Sequence, residues 1–189
     1  TGGTVNFTDA NADIIDLATV LPHLTTAMTI SGTGADKITV RRPSASPLFR
    51  IFNVVSPAVV NLTGLTLTGG NSNNAVGGGI ANAGTLTVTA CAITGNTAGS
   101  SGGGGIFSFG RLTVLDSTVS GNSALSGGGV ASSTSSPPFT AASTFTNLVN
   151  TTLSGNTVTG TGALGGGFYN GNGLSYLVNC TITGNSAPA

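Results

Sequence analysis

The sequence predicts an all-β chain wound into a solenoid, with about three short strands in each turn. Three observations carry this. A Gly-Asn corner recurs at Asn71, Asn96, Asn122, Asn156 and Asn185, at intervals of 25, 26, 34 and 29 residues, the self-similarity expected of stacked repeats. Each interval holds short segments in which apolar residues alternate with threonine or serine, as in Leu86-Thr87-Val88-Thr89, the period of a strand with one buried face. Each interval also holds a glycine run closed by an apolar residue, as in Gly102–Gly105 before Ile106. Propeller blades need four strands and usually a longer period, so a coil of stacked rungs is the better fit.

Stacking predicts columns of like residues along the coil. Leu62, Leu86, Leu112 and Leu148 are expected to form one inward column. Leu67, Ile93, Val119, Leu153 and Ile182 form a second, and Ile80, Ile106, Val130 and Phe168 a third. The glycine runs (77–79, 102–105, 127–129 and 165–167) precede the third column, where glycine permits positive φ and close backbone approach. The corner asparagines tolerate the left-handed region and bond neighbouring backbone. Stacked rung on rung, Asn71, Asn96, Asn122, Asn156 and Asn185 are expected to bond one another as a structural ladder.

Along the chain, residues 1–60 read as irregular first rungs. Strands are expected at 4–7, 13–17, 27–30, 37–40, 49–54 and 59–62, with a proline-bearing loop at 41–47. Residues 61–189 read as the regular repeat of the same single domain. The third period is longer because a Ser/Pro-rich stretch near 131–146 is inserted, and in a solenoid an insertion leaves the coil as a surface loop. The last line stops in mid-rung. Open strand edges invite pairing, so the ends suggest a longer coil, a cap from the irregular N-terminal stretch, or copies stacked head to tail.

Composition bounds the function. Charged residues make up 5% of the chain and its formal net charge is zero, against about a quarter charged in ordinary domains. With 39% hydrophobic residues the chain is expected to fold, and its surface must consist of Thr, Ser, Asn and Gly. No apolar run reaches transmembrane length, so no membrane insertion is expected. Cys91 and Cys180 occupy equivalent places, level with Ser117 and Thr151. That puts them three rungs apart, about 14 Å at the strand spacing and too far for a disulfide.

Catalytic and metal chemistry find few residues. Beyond Ile51 the only charges are Arg111 and Asp116, so no carboxylate pair is available there. Asp9-Ala10-Asn11-Ala12-Asp13 matches the first half of a calcium loop, but Ile14 replaces its glycine and Val20 its last ligand. His23 is the single histidine. Gly99–Gly103 matches G-x-S-x-G and Gly160–Gly165 matches G-x-G-x-x-G, each without the partners that give those motifs meaning. Lys37, Arg41, Arg42 and Arg50 make a modest basic group, too weak for nucleic acid, and read as surface charges. No catalytic residue, metal ligand or cofactor is assigned.

One surface array stands out. Outward positions beside the second column carry Thr66 and Thr68, Ala92 and Thr94, Thr118 and Ser120, Thr152 and Ser154, Thr181 and Thr183. This Thr-x-Thr ladder is the candidate binding face, although threonine is also simply a good outward strand residue.

The lines AITGNTAGSSGGGGI and STVSGNSALSGGGV, preceded by TLTVTAC and RLTVLD, resemble the right-handed parallel β-helix repeats of large bacterial surface and secreted proteins. These include polymorphic outer-membrane-protein-like and autotransporter-passenger-like chains. The resemblance covers nearly the whole chain. It implies a right-handed β-helix, often capped by an N-terminal amphipathic helix that this sequence lacks, and an extracellular or cell-surface location. The expected function is non-enzymatic, structural or adhesive, with copies of itself stacking through the coil ends into a filament and a cell-surface glycan as a further partner. The alternatives are ice or crystal-surface binding by the threonine face, and polysaccharide cleavage by a β-helix enzyme.

Overall fold

The computed structural model describes residues 2–9, 11–99, 102–133 and 144–188. They form a parallel β-solenoid, with no helix among the described residues. Strands are numbered along the chain. Sheet A orders β1 (Gly3–Asn6), β3 (Met28–Ser31), β6 (Val59–Thr63), β9 (Thr85–Thr89), β12 (Arg111–Leu115), β16 (Phe145–Val149) and β20 (Leu174–Val178). Sheet B orders β2 (Asp13–Asp16), β4 (Ile38–Arg41), β7 (Thr66–Thr68), β10 (Ala92–Thr94), β13 (Thr118–Ser120), β17 (Thr152–Ser154) and β21 (Thr181–Thr183). Sheet C orders β5 (Phe52–Val54), β8 (Ile80–Asn82), β11 (Ile106–Ser108), β15 (Val130–Ser132) and β19 (Phe168–Asn170). A short pair, β14 (Ser123–Ala124) and β18 (Thr157–Val158), lies beyond the asparagine corner. Each rung therefore runs A, B, C and back to A.

The second and third columns stack as the spacing predicts. Val40, Leu67, Ile93, Val119, Leu153 and Ile182 pair in sequence across sheet B. Ile80, Ile106, Val130 and Phe168 do so across sheet C, with Phe52 added below Ile80. The first column is corrected. Leu62 pairs with Val88, not Leu86, and the line continues through Val114, Leu148 and Leu177. Leu86 and Leu112 belong to a parallel line that runs Val60, Leu86, Leu112, Thr146, Ser175. Sheet A strands bury two residues per rung, so Leu-x-Val and Val-x-Leu look alike when slid by two. Full burial of each such aliphatic contributes about 1.5–3 kcal/mol. In the second line the hydroxyls of Thr146 and Ser175 are buried and have no hydrogen-bond partner.

The irregular first rungs join the same sheets in the same register: β1 pairs β3, and β2 pairs β4. Only their third side is rudimentary, an isolated bridge from Leu24 to Val54. The inserted stretch expected near 131–146 falls at residues 134–143, outside the described residues. Its flanks keep the register, since β16 pairs in line with β12.

Two corners explain the local sequence. Between sheets A and B a left-handed residue is followed by an inward one. The left-handed residues are Gly64, Ala90, Asp116, Asn150 and Asn179, with φ of 49–62°, and the residues after them are Leu65, Cys91, Ser117, Thr151 and Cys180. Where that inward residue is polar, it donates to the carbonyl two residues earlier: Ser117 Oγ to Leu115 O at 2.6 Å, Thr151 Oγ1 to Val149 O at 3.0 Å and Cys91 Sγ to Thr89 O at 3.3 Å. Both cysteines are free, and Cys91 takes an N–H bond to Ser117 Oγ at 3.0 Å, one rung along. Between sheets B and C the glycine run turns the chain so tightly that backbones touch. A Cβ on Gly104 would lie 2.4 Å from Gly128 O and 2.4 Å from Ser123 O.

Candidate functional site

The polar groups of the coil fall into four sets, beginning with the asparagine corner. Asn96, Asn122 and Asn156 are fully buried and form a ladder with Asn185. The Nδ2 of each donates to the Oδ1 of the next at 3.1, 3.0 and 2.9 Å. The backbone N–H of each donates to that same oxygen at 2.9, 3.0 and 2.9 Å. Each Nδ2 also reaches back one rung, as from Asn122 to Ile93 O at 2.9 Å. The glycine column makes room for it: a Cβ on Gly105 would stand 3.1 Å from Asn122 Nδ2.

Asn71 is not a member, which corrects the expected five-residue ladder. The rung position below Asn96 is held by Gly70, whose N–H donates to Asn96 Oδ1 at 2.9 Å. Asn71 stands one residue further on, bridging Thr97, and its Oδ1 accepts from Asn73 N–H at 2.9 Å. A second glycine in Leu67-Thr68-Gly69-Gly70-Asn71 shifts the asparagine past the corner.

The second set is the outward wall of sheet B. Thr66, Ala92, Thr118, Thr152 and Thr181 make one column, and Thr68, Thr94, Ser120, Ser154 and Thr183 the other. The two columns extend down the coil to Thr39 and Arg41. Some hydroxyls are engaged within the protein: Thr66 Oγ1 donates to Ala35 O at 2.6 Å, and Ser120 Oγ to Thr94 Oγ1 at 3.4 Å. A column of left-handed glycines, Gly69, Gly95, Gly121, Gly155 and Gly184, borders the wall.

The third set is the carboxylates at the first rungs. Asp9 Oδ1 accepts from both the N–H and the Nδ2 of Asn11 at 2.8 Å. Asp16 binds Arg41 through two bonds, at 2.7 and 2.9 Å, and that guanidinium holds its carboxyl below the usual range. Among the described residues no three His, Cys, Asp or Glu side chains gather where they could hold a metal ion. Nor, among them, does any helix have the length and apolarity to cross a membrane.

The fourth set is the cations, which the sequence grouped and the fold separates. Arg41 pairs with Asp16, and Lys37 lies 3.5 Å from Asp36. Arg42 is buried and donates to three carbonyls, Gly69, Pro43 and Ser46, at 2.7–3.0 Å. Arg111 lies over the Phe145 ring at 4.7 Å from its centre. Arg50 is half-buried in a cleft of about 390 Å³ lined by Val20, His23, Leu48, Phe49, Asn53 and Ser72. The sequence hides this cleft because its walls come from three different rungs. The chain matches no family model, no curated protein and no solved structure.

Proposed function

We propose that the protein is a non-enzymatic structural or adhesive module of a bacterial cell exterior, in which the coil itself is the working part. The observation that carries this reading is where the polar side chains go. Asparagines hold one corner, Ser117, Thr151 and the thiols hold another, and Arg42 staples three carbonyls. What remains is a long wall of hydroxyls on sheet B that is uncharged from Thr66 to Thr183. Its repeat of about 4.8 Å along the coil suits an extended repetitive surface such as a cell-surface glycan. The resemblance of the repeated lines to bacterial surface β-helices supports the same reading. Co-sedimentation with insoluble polysaccharides tests it, and Thr94→Glu with Thr152→Glu should release the chain. Release of new reducing ends from any polysaccharide would overturn the non-enzymatic reading.

A second reading, head-to-tail association of copies, rests on the terminal rungs. Leu177 and Ile182 belong to inward columns yet stand 38% and 52% exposed. At the other end Val5, Phe7, Ile15, Leu17 and Leu21 line an apolar hollow of about 230 Å³ with Ile30, Val40 and Phe52. Stacked copies would set Leu177 on Val5 and Ile182 on Ile15, each sheet continuing in parallel. Sedimentation velocity and electron microscopy of the 189-residue chain decide this, and monomers at every concentration would end it. Ice binding by the same wall is the third reading. The internally bonded Thr66 and Ser120 and the gap at Ala92 weigh against it, and a solution without thermal hysteresis would sink it.

A further inference from the structure

The Arg50 cleft stands apart from everything the coil needs. Of the five Lys and Arg residues in the chain, four are matched: two to carboxylates, one to backbone carbonyls and one to an aromatic face. Arg50 alone has no carboxylate, carbonyl or aromatic face among the described residues. Its one hydrogen bond runs from Nη1 to Asn53 Oδ1 and is long, at 3.3 Å. A guanidinium has five N–H donors in a planar fork, so most of its capacity is unmet by the described residues, and Arg50 lines the cleft. Burial costs this cation hydration and lowers its pKa, and no carboxylate among the described residues pairs with it to offset that.

The walls describe what would offset it. Val20 and Leu48 are 59% and 51% exposed, an apolar rim around a cationic floor. Phe49 is buried beneath, and Asn53, Ser72 and His23 add polar edges. Ser72 Oγ donates to Ala75 O at 2.6 Å, so its lone pairs can accept from a hydroxyl on a bound molecule but leave any carboxylate to Arg50. An apolar rim, a few convergent polar groups and this volume are the ordinary features of a small-molecule site.

We propose that this cleft binds a small organic carboxylate, its two oxygens on the Arg50 guanidinium and its ring or hydrocarbon body between Val20 and Leu48. Bidentate carboxylate recognition is what the arginine fork does best. A sugar acid and an aromatic or aliphatic acid share that chemistry, and the test separates them. The site is independent of the wall and of the coil ends, so its failure leaves those readings untouched.

The experiment is calorimetric titration of the full chain with galacturonate and with benzoate, each beside its neutral analogue, galactose or benzamide. At least one acid should bind with a dissociation constant below about 10 mM, and its neutral analogue should bind at least about 10-fold more weakly. Arg50→Gln should abolish the difference between acid and analogue, and Arg50→Lys should retain part of it. Leu48→Asp, at an exposed position that tolerates the change, should repel the acid while leaving the melting temperature unchanged. The acid that binds identifies the source of the carboxylate. No binding by either acid, or equal binding by acid and neutral analogue, overturns the proposal, as does unchanged affinity in a folded Arg50→Gln chain.

Discussion

Replacing Asn122 with alanine tests the central corner of the fold. The Oδ1 of Asn122 accepts from Asn96 N–H at 2.9 Å and Asn96 Nδ2 at 3.1 Å. Its Nδ2 donates to Ile93 O at 2.9 Å and Asn156 Oδ1 at 3.0 Å. Alanine removes all four bonds. Asn156 Oδ1 keeps the Asn122 backbone N–H and Asn96 Nδ2 keeps Leu67 O and Thr94 O, but the buried Asn96 backbone N–H loses its acceptor and Ile93 O loses a donor. At about 1–3 kcal/mol for the orphaned buried N–H and about 1 kcal/mol for the lost bond at Ile93 O, the loss is about 2–4 kcal/mol, a large share of a typical domain's stability. Asn185→Ala is the control. It removes the same kinds of bond where the side chain is half-exposed and water can replace them, so about 1 kcal/mol is expected. Urea unfolding followed by circular dichroism measures both, with amide exchange at Asn96 reporting local opening. If Asn122→Ala lies within about 1 kcal/mol of the parent or matches Asn185→Ala, the ladder does not hold the corner and this account of it is wrong.

Other consequences can be checked on the same preparation. Thr146→Val keeps the side chain's shape and removes a buried hydroxyl that has no partner, so it should raise stability by about 1–2 kcal/mol in the same urea titration. Cys91 is buried and Cys180 is partly exposed, so a thiol reagent should label only Cys180 until the chain unfolds. Burial raises the Cys91 thiol pKa above its ordinary value. The unfolded thiol then ionises first, and stability should decline as pH rises through the thiol range, a slope that Cys91→Ser removes. The Asp16 carboxyl is depressed by Arg41, so its contribution is present above the unfolded carboxyl's pKa and lost as pH falls through the native one. Asp16→Asn should flatten that acid limb in melts taken from about pH 5 to about pH 2.

The sheet B column was legible because each rung offers one apolar residue between two hydroxyl or small residues, as in Thr66-Leu67-Thr68 and Thr118-Val119-Ser120. Sheet A was misread by two residues because both of its inward positions are aliphatic, and matching leucine to leucine ignores that degeneracy. Counting from the sheet B residue resolves it: Leu62, Val88, Val114, Leu148 and Leu177 each stand five positions before Leu67, Ile93, Val119, Leu153 and Ile182. The same count places Gly70, rather than Asn71, level with Asn96, three positions after the column residue. The first rungs looked irregular because they lack the Gly-Asn corner, although their alternating strands already carried the register. The Arg50 cleft had no signal of its own. Residues 20, 23, 48 and 72 meet only once the coil is wound, and a single arginine among four nearby cations carries no mark of being unmatched.

The three corners of the coil differ in what they admit. From sheet A to B the connection is always two residues, from β6 through β20. From B to C, the carbonyl of one rung fills the place where a side chain on the rung before it would go. From C to A, two residues join β8 to β9 and β11 to β12, whereas twelve lie between β15 and β16. The B-to-C edge varies too: eleven residues lie between β7 and β8 and between β10 and β11, nine between β13 and β15, and thirteen between β17 and β19. Duplication and divergence in such a coil can therefore add sequence along two ridges, while the A-to-B edge from β6 onward holds every copy to the ancestral length. An engineer wishing to hang a foreign peptide on this scaffold would choose the C-to-A ridge, where the connection ranges from two residues to twelve.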